Sequence, residues 1–492
     1  INRMIKKIIV ILILLQTIVC NNIFAQSKRG NSWMTGRGTT VMFENNIVTT
    51  KYIAVTPWHY FMHGNSNICD TNGNMILCSD GFNIYDSIGN YIDGGDTIVP
   101  VSYYNQYSGF SLLSQSSIFL PMDSNKYYFI TPTNSEGNLC FGCHNDVILY
   151  SVIDMNANGG AGKVVKRMVP LATNGQFRKT QMMACRHANG KDWWLLKQGG
   201  DSNTVYKFLF TQDSVYNMGY QEFIEPLWGT WDIYGQSTFN VDGNRYATSC
   251  DASGIWSGKI FLADFDRCYG LLTNPKVITM PKAPQYNPNA PSDSERLTKG
   301  LAYSPNNKFL YVIGQFNIWQ FDFADSSWFH VAGMDTTFNK FQHYEASYYG
   351  GDGKLYIGNF GGTSKQMSRI DNPDVKGAGC NFCPRCLRFD SLGVYGTAQS
   401  IPCMPNYSLG AQICWPESTK DIENNKNKLE VYPNPSSTSL YIKTESKEQR
   451  ELFNSIGQLL FTTKENEIDV RKYSKGVYYL KVASKFKKII IE

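Results

Sequence analysis

The feature that most constrains the fold of this 492-residue chain is a β-rich unit that occurs six times. A copy typically has a turn such as Asn-Gly-Asn or Asp-Gly-Lys, a hydrophobic run, a second turn and another hydrophobic run that often ends near an Asp. The copies lie at residues 72–92, 124–155, 189–211, 242–266, 305–323 and 351–371. They are spaced roughly 50–65 residues apart, which suits four-stranded propeller blades with long loops.

The strands of these units are predicted to have two apolar faces. In the run KFLYVIG at 308–314, the odd-numbered apolar residues share one face and the even-numbered ones share the other. Such strands suit a blade packed between two others. Because helical patterns are few, we predict an all-β fold, a six- or seven-bladed β-propeller over residues 26–415. Seven blades are preferred, because runs at 38–60 and 395–410 could pair the two ends of the body into a further blade.

Residues 1–25 are predicted to be a secretory signal peptide. Three basic residues precede an apolar run at 8–19, and the small residue Ala25 marks the cleavage site. The run is shorter than the ~20 residues that a membrane-spanning helix needs. We therefore expect an exported chain with no transmembrane segment in its mature form.

The net charge of +5 is concentrated outside the body of the chain. The signal peptide carries +3 and residues 429–492 carry +3, which leaves residues 26–428 at −1. A near-neutral body lacks the basic surface of a nucleic-acid-binding protein. We therefore expect no nucleic-acid partner.

Twelve of the thirteen cysteines remain after signal removal, in an oxidising compartment where disulfides persist. Cys69 with Cys78, and Cys250 with Cys268, are spaced like bridges between neighbouring strands. These four are the disulfide candidates, although spacing alone does not fix the pairing.

A CxxCH pattern at Cys140, Cys143 and His144 matches the attachment signature of a c-type haem. A haem also needs an apolar pocket and usually a second axial ligand, and no second CxxCH occurs. We interpret the pattern as a blade loop whose cysteines form disulfides, with a covalent haem as the alternative.

Two further patterns have metal-like spacing. Cys380, Cys383 and Cys386 are spaced like zinc ligands, with Cys403 or Cys414 as a fourth, but exported thiols more often oxidise.

Asp154, Asn156 and Asn158 match the first half of a calcium loop. The Glu expected at its twelfth position is Val165, so a hairpin turn is favoured and calcium is the alternative. We expect no other cofactor.

Catalytic signatures are absent from the sequence. There is no HExxH or GxSxG motif, and GGAGKV at 159–164 is not a phosphate-binding loop. An enzyme would need acids such as Asp80, Asp192 or Asp322 at the propeller funnel. We assign no catalytic residue.

A polar linker at 416–428 precedes a segment of different character at 429–492. The short alternating strands of this segment and its Asn-Pro, Ile-Gly and Lys-Gly turns predict a small β-sandwich. In VYYLKV, for example, Tyr478, Leu480 and Val482 are predicted to share one face.

Four elements of this segment, in order, resemble the sorting domain (type A form) of the type IX secretion system. They are YPNP, LFNSIGQLL, IDVRKYSKGVYYLKV and KFKK, and they contain Tyr432, Pro433, Asn434, Pro435, Gly457, Gly476, Lys487 and Lys488. The resemblance implies Sec export to the periplasm, passage through the outer-membrane translocon and usually removal of the sorting domain. The cargo is then released or attached to surface lipopolysaccharide.

The body between residues 65 and 375 resembles the propeller-like region of large secreted Bacteroidota proteins, including gliding-motility-associated ones. Phrases such as YSVIDMNANGGAGKVV and RHANGKDWWLL carry this resemblance. It implies a propeller and transfers no catalytic residue to this chain.

The sequence therefore predicts a secreted or surface-displayed propeller that has passed through the periplasm and binds an extracellular glycan or protein. The Sec and type IX machineries are its expected export partners. A secreted hydrolase or lyase is the alternative, and it would require convergent carboxylates with perturbed pKa values at one mouth of the propeller.

Overall fold

The computed structural model describes residues 28–492 apart from 45, 54–59, 139–143, 201–202, 224–234, 250–257, 283–296, 334–342, 361–363, 394–399, 413, 415–428, 445–447, 455–457 and 484. The chain divides into two compact units, Ile1–Cys414 and Trp415–Glu492. Among these described residues, no helix is long and apolar enough to cross a membrane.

The described part of the first unit contains seven antiparallel sheets, in which strands consecutive in the chain are neighbours. Two sheets have three strands each: β1 Ser32–Thr35, β2 Thr39–Glu44, β3 Ile47–Tyr52; and β4 Ser66–Cys69, β5 Met75–Ser79, β6 Ile84–Asp86. Five sheets have four strands each. The third sheet contains β7 Ile118–Pro121, β8 Lys126–Thr133, β9 Val147–Asp154 and β10 Lys163–Ala172, and the fourth contains β11 Phe177–Arg186, β12 Trp193–Gly199, β13 Thr204–Phe210 and β14 Val215–Glu222. The fifth contains β15 Ser237–Phe239, β16 Arg245–Ser249, β17 Lys259–Asp266 and β18 Leu271–Thr279; the sixth contains β19 Thr298–Tyr303, β20 Phe309–Gly314, β21 Ile318–Asp322 and β22 Trp328–Ala332; and the seventh contains β23 His343–Tyr349, β24 Leu355–Phe360, β25 Gln366–Ile370 and β26 Phe382–Arg388. An α-helix, α1 Val101–Gln106, follows the second sheet.

Each of the six predicted units contains two adjacent strands of one sheet; the unit at 305–323, for example, contains β20 and β21. The two apolar faces of β20 are as predicted. Leu310 and Val312 pack in the core shared with the fifth sheet, whereas Tyr311 and Ile313 pack in the core shared with the seventh. Every residue of β20 is buried, because the sheet is covered on both sides.

The seven sheets close into a ring, so the first unit is a β-propeller. The first strand of each sheet is its inner strand: β1, β4, β7, β11, β15, β19 and β23. The first and seventh sheets meet where Tyr356 packs edge-on against Trp33 and Phe43, each with ring centroids 5.4 Å apart.

The predicted pairing of 38–60 with 395–410 is wrong within the described residues. β2 and β3 pair with β1 and with each other. Described residues between 400 and 414 contribute to these sheets only an isolated parallel bridge between Cys403 and Ser66. The backbone of these residues instead bonds to Asn65, ahead of β4, through Cys403 N and to Ala188, after β11, through Gln412 N.

The second unit is a small β-sandwich of two sheets. One contains β27 Glu430–Tyr432, β28 Ser439–Lys443 and β31 Glu467–Asp469; the other contains β29 Arg450–Asn454, β30 Leu459–Thr463, β32 Gly476–Val482 and β33 Lys485–Ile491. Tyr478, Leu480 and Val482 are buried in the shared core, as the alternation predicted. Between them Lys481 points outward, with its Nζ 2.8 Å from a carboxylate oxygen of Glu451.

Candidate functional site

The inner strands of the propeller end around a cavity of about 330 Å³. Its walls come from the carboxyl-terminal ends of β11, β15, β19 and β23, from Gly30 and Asn31 ahead of β1, and from residues 404–408. Because the inner strands surround the axis, the cavity is built by residues that are far apart in the chain.

A glycine turn after β23 lets the backbone form part of this wall. A Cβ atom at Gly351 would lie 2.6 Å from the side chain of Asn31 and 2.9 Å from Phe43. No side chain fits at that distance, so only glycine permits the turn to pack against these two residues.

The described lining of the cavity carries no charged side chain. Its larger side chains are Met183, Phe239, Tyr303, Tyr348, Tyr349, Met404 and Tyr407. Aromatic rings offer flat apolar surfaces against which a ligand ring can stack. A charged ligand would find no opposite charge here, so the lining favours an uncharged one.

Ser347 is one of the residues that line the cavity. The residue is 2 % exposed, and its Oγ has no hydrogen-bond partner among the described residues. The Gln236 amide fixes the backbone around it: Oε1 accepts from Ser347 N and Leu301 N, each at 3.0 Å, and Nε2 donates to Ser347 O at 2.8 Å. A buried hydroxyl without a partner is destabilising by about 1–3 kcal/mol, which a hydrogen bond to a ligand would relieve.

A second glutamine, Gln115, bonds to residues of two other sheets beside the cavity lining. Gln115 Nε2 donates to Ser237 O at 2.8 Å and to the Tyr348 hydroxyl at 3.0 Å, and its Oε1 accepts from Ser237 N at 2.7 Å. Tyr349 donates its own hydroxyl to Tyr303 O at 2.9 Å. These ring positions are therefore fixed by the protein before any ligand binds.

Next to the uncharged cavity lining lies a group of ionisable side chains, His63, Glu345 and Lys299, here called the charged layer. The Nδ1 atom of His63 is 3.9 Å from a carboxylate oxygen of Glu345, and both side chains are buried. Burial, and then the Lys299 cation, lower the pKa of His63 to about 4, so the imidazole is neutral at pH 7. Glu345 precedes Ser347 by two residues on β23. The pair was not predicted, because His63 and Glu345 are distant in sequence and share no motif.

The three predicted acids do not converge. Asp80 is buried and accepts the Tyr85 hydroxyl at 2.6 Å; burial raises the pKa of its carboxyl group to about 6. Asp192 lies in the turn before β12. Asp322, at the end of β21, is 2.7 Å from the Nζ atom of Lys376. They belong to the second, fourth and sixth sheets, so the funnel acids proposed for an enzyme are not supported.

At the predicted calcium loop, Asp154 Oδ1 accepts from Asn156 N at 2.9 Å, and Oδ2 is 3.7 Å from Lys126 Nζ. Asn158 begins a short 3-10 turn. The structure thus places a turn here, in which the Asp154 carboxylate accepts a bond from the backbone two residues later. Across the described part of the chain, no group of three His, Cys, Asp or Glu residues is arranged to hold a metal ion. A calcium ion at this turn stays a prediction.

The predicted haem residues Cys140 and Cys143 lie outside the described residues. His144 is described, and its ring lies where a side chain at Gly200 would be. A covalent haem therefore stays an untested alternative.

The cysteine pairing predicted from spacing is wrong. Cys69 and Cys78 are buried free thiols. Across β4 and β5, Cys69 is opposite Met75 and Cys78 is opposite Asn67, so the two cysteines do not face each other.

Cys268 is disulfide-bonded, but to Cys414 rather than to Cys250, which lies outside the described residues. A second disulfide joins Cys383 to Cys386, two of the three cysteines that were spaced like zinc ligands. The oxidised alternative is therefore the one found at that pattern.

In the second unit, Asn434 of the YPNP element ties the start of the sandwich to its last strand. Its Nδ2 donates to Lys488 O at 2.7 Å, and its Oδ1 accepts from Ile490 N at 2.8 Å. Lys487 and Lys488 lie on β33, and Gly476 is the first residue of β32 rather than part of a turn.

Tyr432 is 53 % exposed, and its ring centroid lies 6.2 Å from that of Tyr441. Pro433 and Pro435 flank Asn434. Gly457 lies outside the described residues.

Residues 430–492 match the model of a family described as the secretion system C-terminal sorting domain. The carboxy-terminal unit is a type IX sorting domain. The resemblance noted in the sequence is thereby confirmed, and it indicates export of the protein to the cell surface or the medium.

Solved structures similar to this chain have low identity. A functionally unknown protein from Desulfotomaculum acetoxidans is 12% identical with a TM-score of 0.41, covering 75% of this chain and 96% of that one. The Cps50 (Swd1) beta-propeller domain of Myceliophteria thermophila is 9% identical with a TM-score of 0.28, covering 74% and 100%. An extracellular domain from B. thetaiotaomicron is 12% identical with a TM-score of 0.36, covering 94% and 55%. No curated protein matches the chain.

Proposed function

We propose that the exported propeller is a binding module and that its ligand occupies the axial cavity. The observation that carries this proposal is the lining: aromatic and uncharged, with the buried Ser347 hydroxyl lacking a partner. The preformed walls support it further, since a rigid site loses little conformational entropy when a ligand binds.

The ligand that fits this chemistry is a neutral sugar residue of an extracellular glycan. The C–H face of a sugar ring packs against an aromatic side chain such as Phe239, and Ser347 supplies a hydrogen bond for a ring hydroxyl. Asn31 and Asn406 add neutral amide groups at the wall. Acidic sugars are disfavoured, because the described part of the lining contains no cation.

The test is a screen of the full secreted protein against neutral and acidic oligosaccharides, followed by calorimetric titration of the best ligand. Ser347→Ala should weaken binding about fivefold, the loss of one hydrogen bond of roughly 1 kcal/mol. Ser79→Ala is the matched control, because the Ser79 Oγ atom is also buried but accepts from Gly81 N in the second sheet. Equal affinities for the two variants would contradict this site.

A secreted hydrolase or lyase is the second candidate, and the His63–Glu345 pair favours it. A neutral imidazole near a carboxylate is the composition of a general acid–base pair. If the protein cleaves any glycan or peptide in the same screen, His63→Gln should abolish the cleavage. Loss of turnover without loss of binding would replace the binding module by an enzyme.

Delivery by the carboxy-terminal unit is tested separately. Deleting residues from Leu429 onward should leave folded, signal-processed propeller in the periplasm of a type IX-competent host. Fusing residues 416–492 to an unrelated exported reporter should send that reporter to the surface or the medium. Equal surface delivery of the deleted and intact proteins would overturn the assignment.

A further inference from the structure

We propose that the Cys383–Cys386 disulfide is a redox-active site, which oxidises an external dithiol, and that Cys268–Cys414 is structural. Both disulfides belong to the first unit. The Cys383–Cys386 bond lies within β26, and no residue of β26 is among the described residues that line the axial cavity. This activity is therefore separate from glycan binding and does not depend on it.

The two cysteines lie at the ends of a bulge in the outermost strand of their sheet. β26 comes last in the strand order of the seventh sheet, beside β25. Met367 of β25 is opposite Leu387, but two residues later Arg369 is opposite Cys383. One residue of β25 therefore faces three residues of β26, and the two additional residues form the bulge. The disulfide closes this bulge across a sequence separation of three.

The bulge contains an uncommon backbone conformation. Arg385, between the two cysteines, has a φ of 53°, in the left-handed region that residues other than glycine rarely adopt. Its N–H donates to the Ser368 hydroxyl at 3.2 Å. Reduction removes one of the restraints on this loop, so the left-handed residue gains freedom to relax. The relaxation favours the reduced form of the two cysteines.

Both cysteines of the bulge are partly accessible to solvent. Cys383 and Cys386 are half-buried, and Pro384 between them is exposed. By contrast, the five free cysteines in the described part of the chain are all buried. An attacking thiolate must reach a sulfur atom for exchange to occur, so the bulge meets the first requirement of a redox-active site.

The length of chain that each disulfide closes separates the two bonds. Cys268 and Cys414 are also accessible, but they are 146 residues apart in the sequence, whereas Cys383 and Cys386 are three apart. The restraint that a disulfide places on the unfolded chain grows with the length of the closed loop. Reduction of Cys383–Cys386 therefore costs the fold less, and this disulfide should accept electrons more readily.

Positive charge exceeds negative charge next to Cys383. Its cross-strand neighbour Arg369 forms an ion pair with Asp371, with 2.6 Å between Nε and Oδ1. The Nζ atom of Lys354 is 3.3 Å from the same oxygen atom. Arg385 in the bulge adds a further cation. Positive charge stabilises a thiolate, which is the group that leaves during exchange.

The exchange uses both thiols of one external dithiol. Its first thiolate attacks Cys386 Sγ and releases Cys383 as a thiolate opposite Arg369. Its second thiolate then attacks the reagent sulfur of the mixed disulfide and releases Cys386. Two electrons pass to the protein, both cysteines take up the protons that the dithiol lost, and the dithiol becomes a disulfide.

The experiment equilibrates the full oxidised protein with dithiothreitol and its cyclic disulfide at rising ratios. Free thiols are then alkylated and assigned by peptide mass spectrometry. We expect half-reduction of Cys383–Cys386 at a ratio at least about tenfold below that for Cys268–Cys414, with unchanged near-ultraviolet circular dichroism. Equal midpoints for the two bonds would overturn the redox-active site. So would reduction of Cys383–Cys386 only together with loss of the circular dichroism signal.

Consumption of dithiol at the lower ratio gives a second measurement. Cys383→Ser/Cys386→Ser should oxidise one equivalent of dithiol per chain less than the unmodified protein. Cys268→Ser/Cys414→Ser is the matched control and should oxidise as much as the unmodified protein. Equal consumption by Cys383→Ser/Cys386→Ser and the unmodified protein would reject the site. The titration of the unmodified protein decides the question even if a variant does not fold.

Discussion

The uncharged cavity lining and the charged layer of His63 and Glu345 differ in chemistry although only a few residues separate them along an inner strand. Ser347 belongs to an uncharged cavity, whereas Glu345, two residues earlier on the same inner strand, faces His63 in a charged layer. Two residues of a strand span roughly 6.6 Å, so the change occurs within a short distance. Gln236 bonds to the backbone of Ser347 and helps to hold the inner strands in place there.

The difference between the cavity lining and the charged layer is energetic as well as chemical. A buried charge depends on its neighbours, so removing it leaves other groups uncompensated. The Ser347 hydroxyl has no partner among the described residues, so its removal should cost little stability. The charged layer should therefore control folding stability and the cavity lining ligand choice.

The largest expected effect is at the charged layer. Glu345→Ala should lower the free energy of unfolding by about 3 kcal/mol, because the side chain is buried and lies 3.9 Å from His63 Nδ1, so its loss leaves a cavity and an unmatched polar neighbour. Glu345→Gln keeps the volume and tests the charge alone. The measurement is denaturant unfolding of both variants, and a loss below about 0.5 kcal/mol would erase the contrast.

The next largest effect is expected at Gln236, which bonds to the backbone of Ser347 and Leu301. Gln236→Leu should lower the free energy of unfolding by about 2 kcal/mol, because it leaves Leu301 N and the Ser347 backbone groups without their partners. Gln221→Leu is a control in an outer strand, where Gln221 bonds the backbone of Leu272 at a less buried position. A larger loss of unfolding free energy for Gln221→Leu than for Gln236→Leu would show that bonds between inner strands contribute no more to stability than bonds between outer strands.

Acid should act on the charged layer through His63. Its folded pKa of about 4 lies below the ordinary value of 6.5, so the unfolded chain binds the proton more readily. Stability from this group is present above pH 6.5 and is lost as the pH falls toward 4, by about 2 kcal/mol at pH 5.

His63→Gln should remove this part of the acid dependence, as measured by unfolding at pH 7 and pH 5. Burial shifts the pKa of Asp80 upward, in the direction that opposes this loss below pH 6, so the variant must be compared with the unmodified protein at each pH. Parallel stability curves for the two proteins would contradict the lowered pKa.

The two units also differ in how far the sequence predicted them. The sorting domain was recognised from contiguous motifs, and the apolar alternation of β20 and of residues 478–482 predicted local strands correctly, because a period of two is a local property. The cavity could not be predicted, since its wall joins Gly30 to Ser408 across the whole body. Cys268 shows the same limit, because spacing suggested a local partner and the bonded one is 146 residues away.

The smallest expected effect is at the cavity itself, and it completes the comparison. Ser347→Ala removes a buried hydroxyl that has no partner in the empty protein, so the free energy of unfolding should stay within about 0.5 kcal/mol or rise. Ser79→Ala, which removes the acceptor of Gly81 N, should lose about 1 kcal/mol. Thermal and denaturant unfolding without ligand measure both. A loss at Ser347 as large as at Ser79 would mean that its hydroxyl already serves the fold, and the cavity would then lose the group on which its ligand assignment rests.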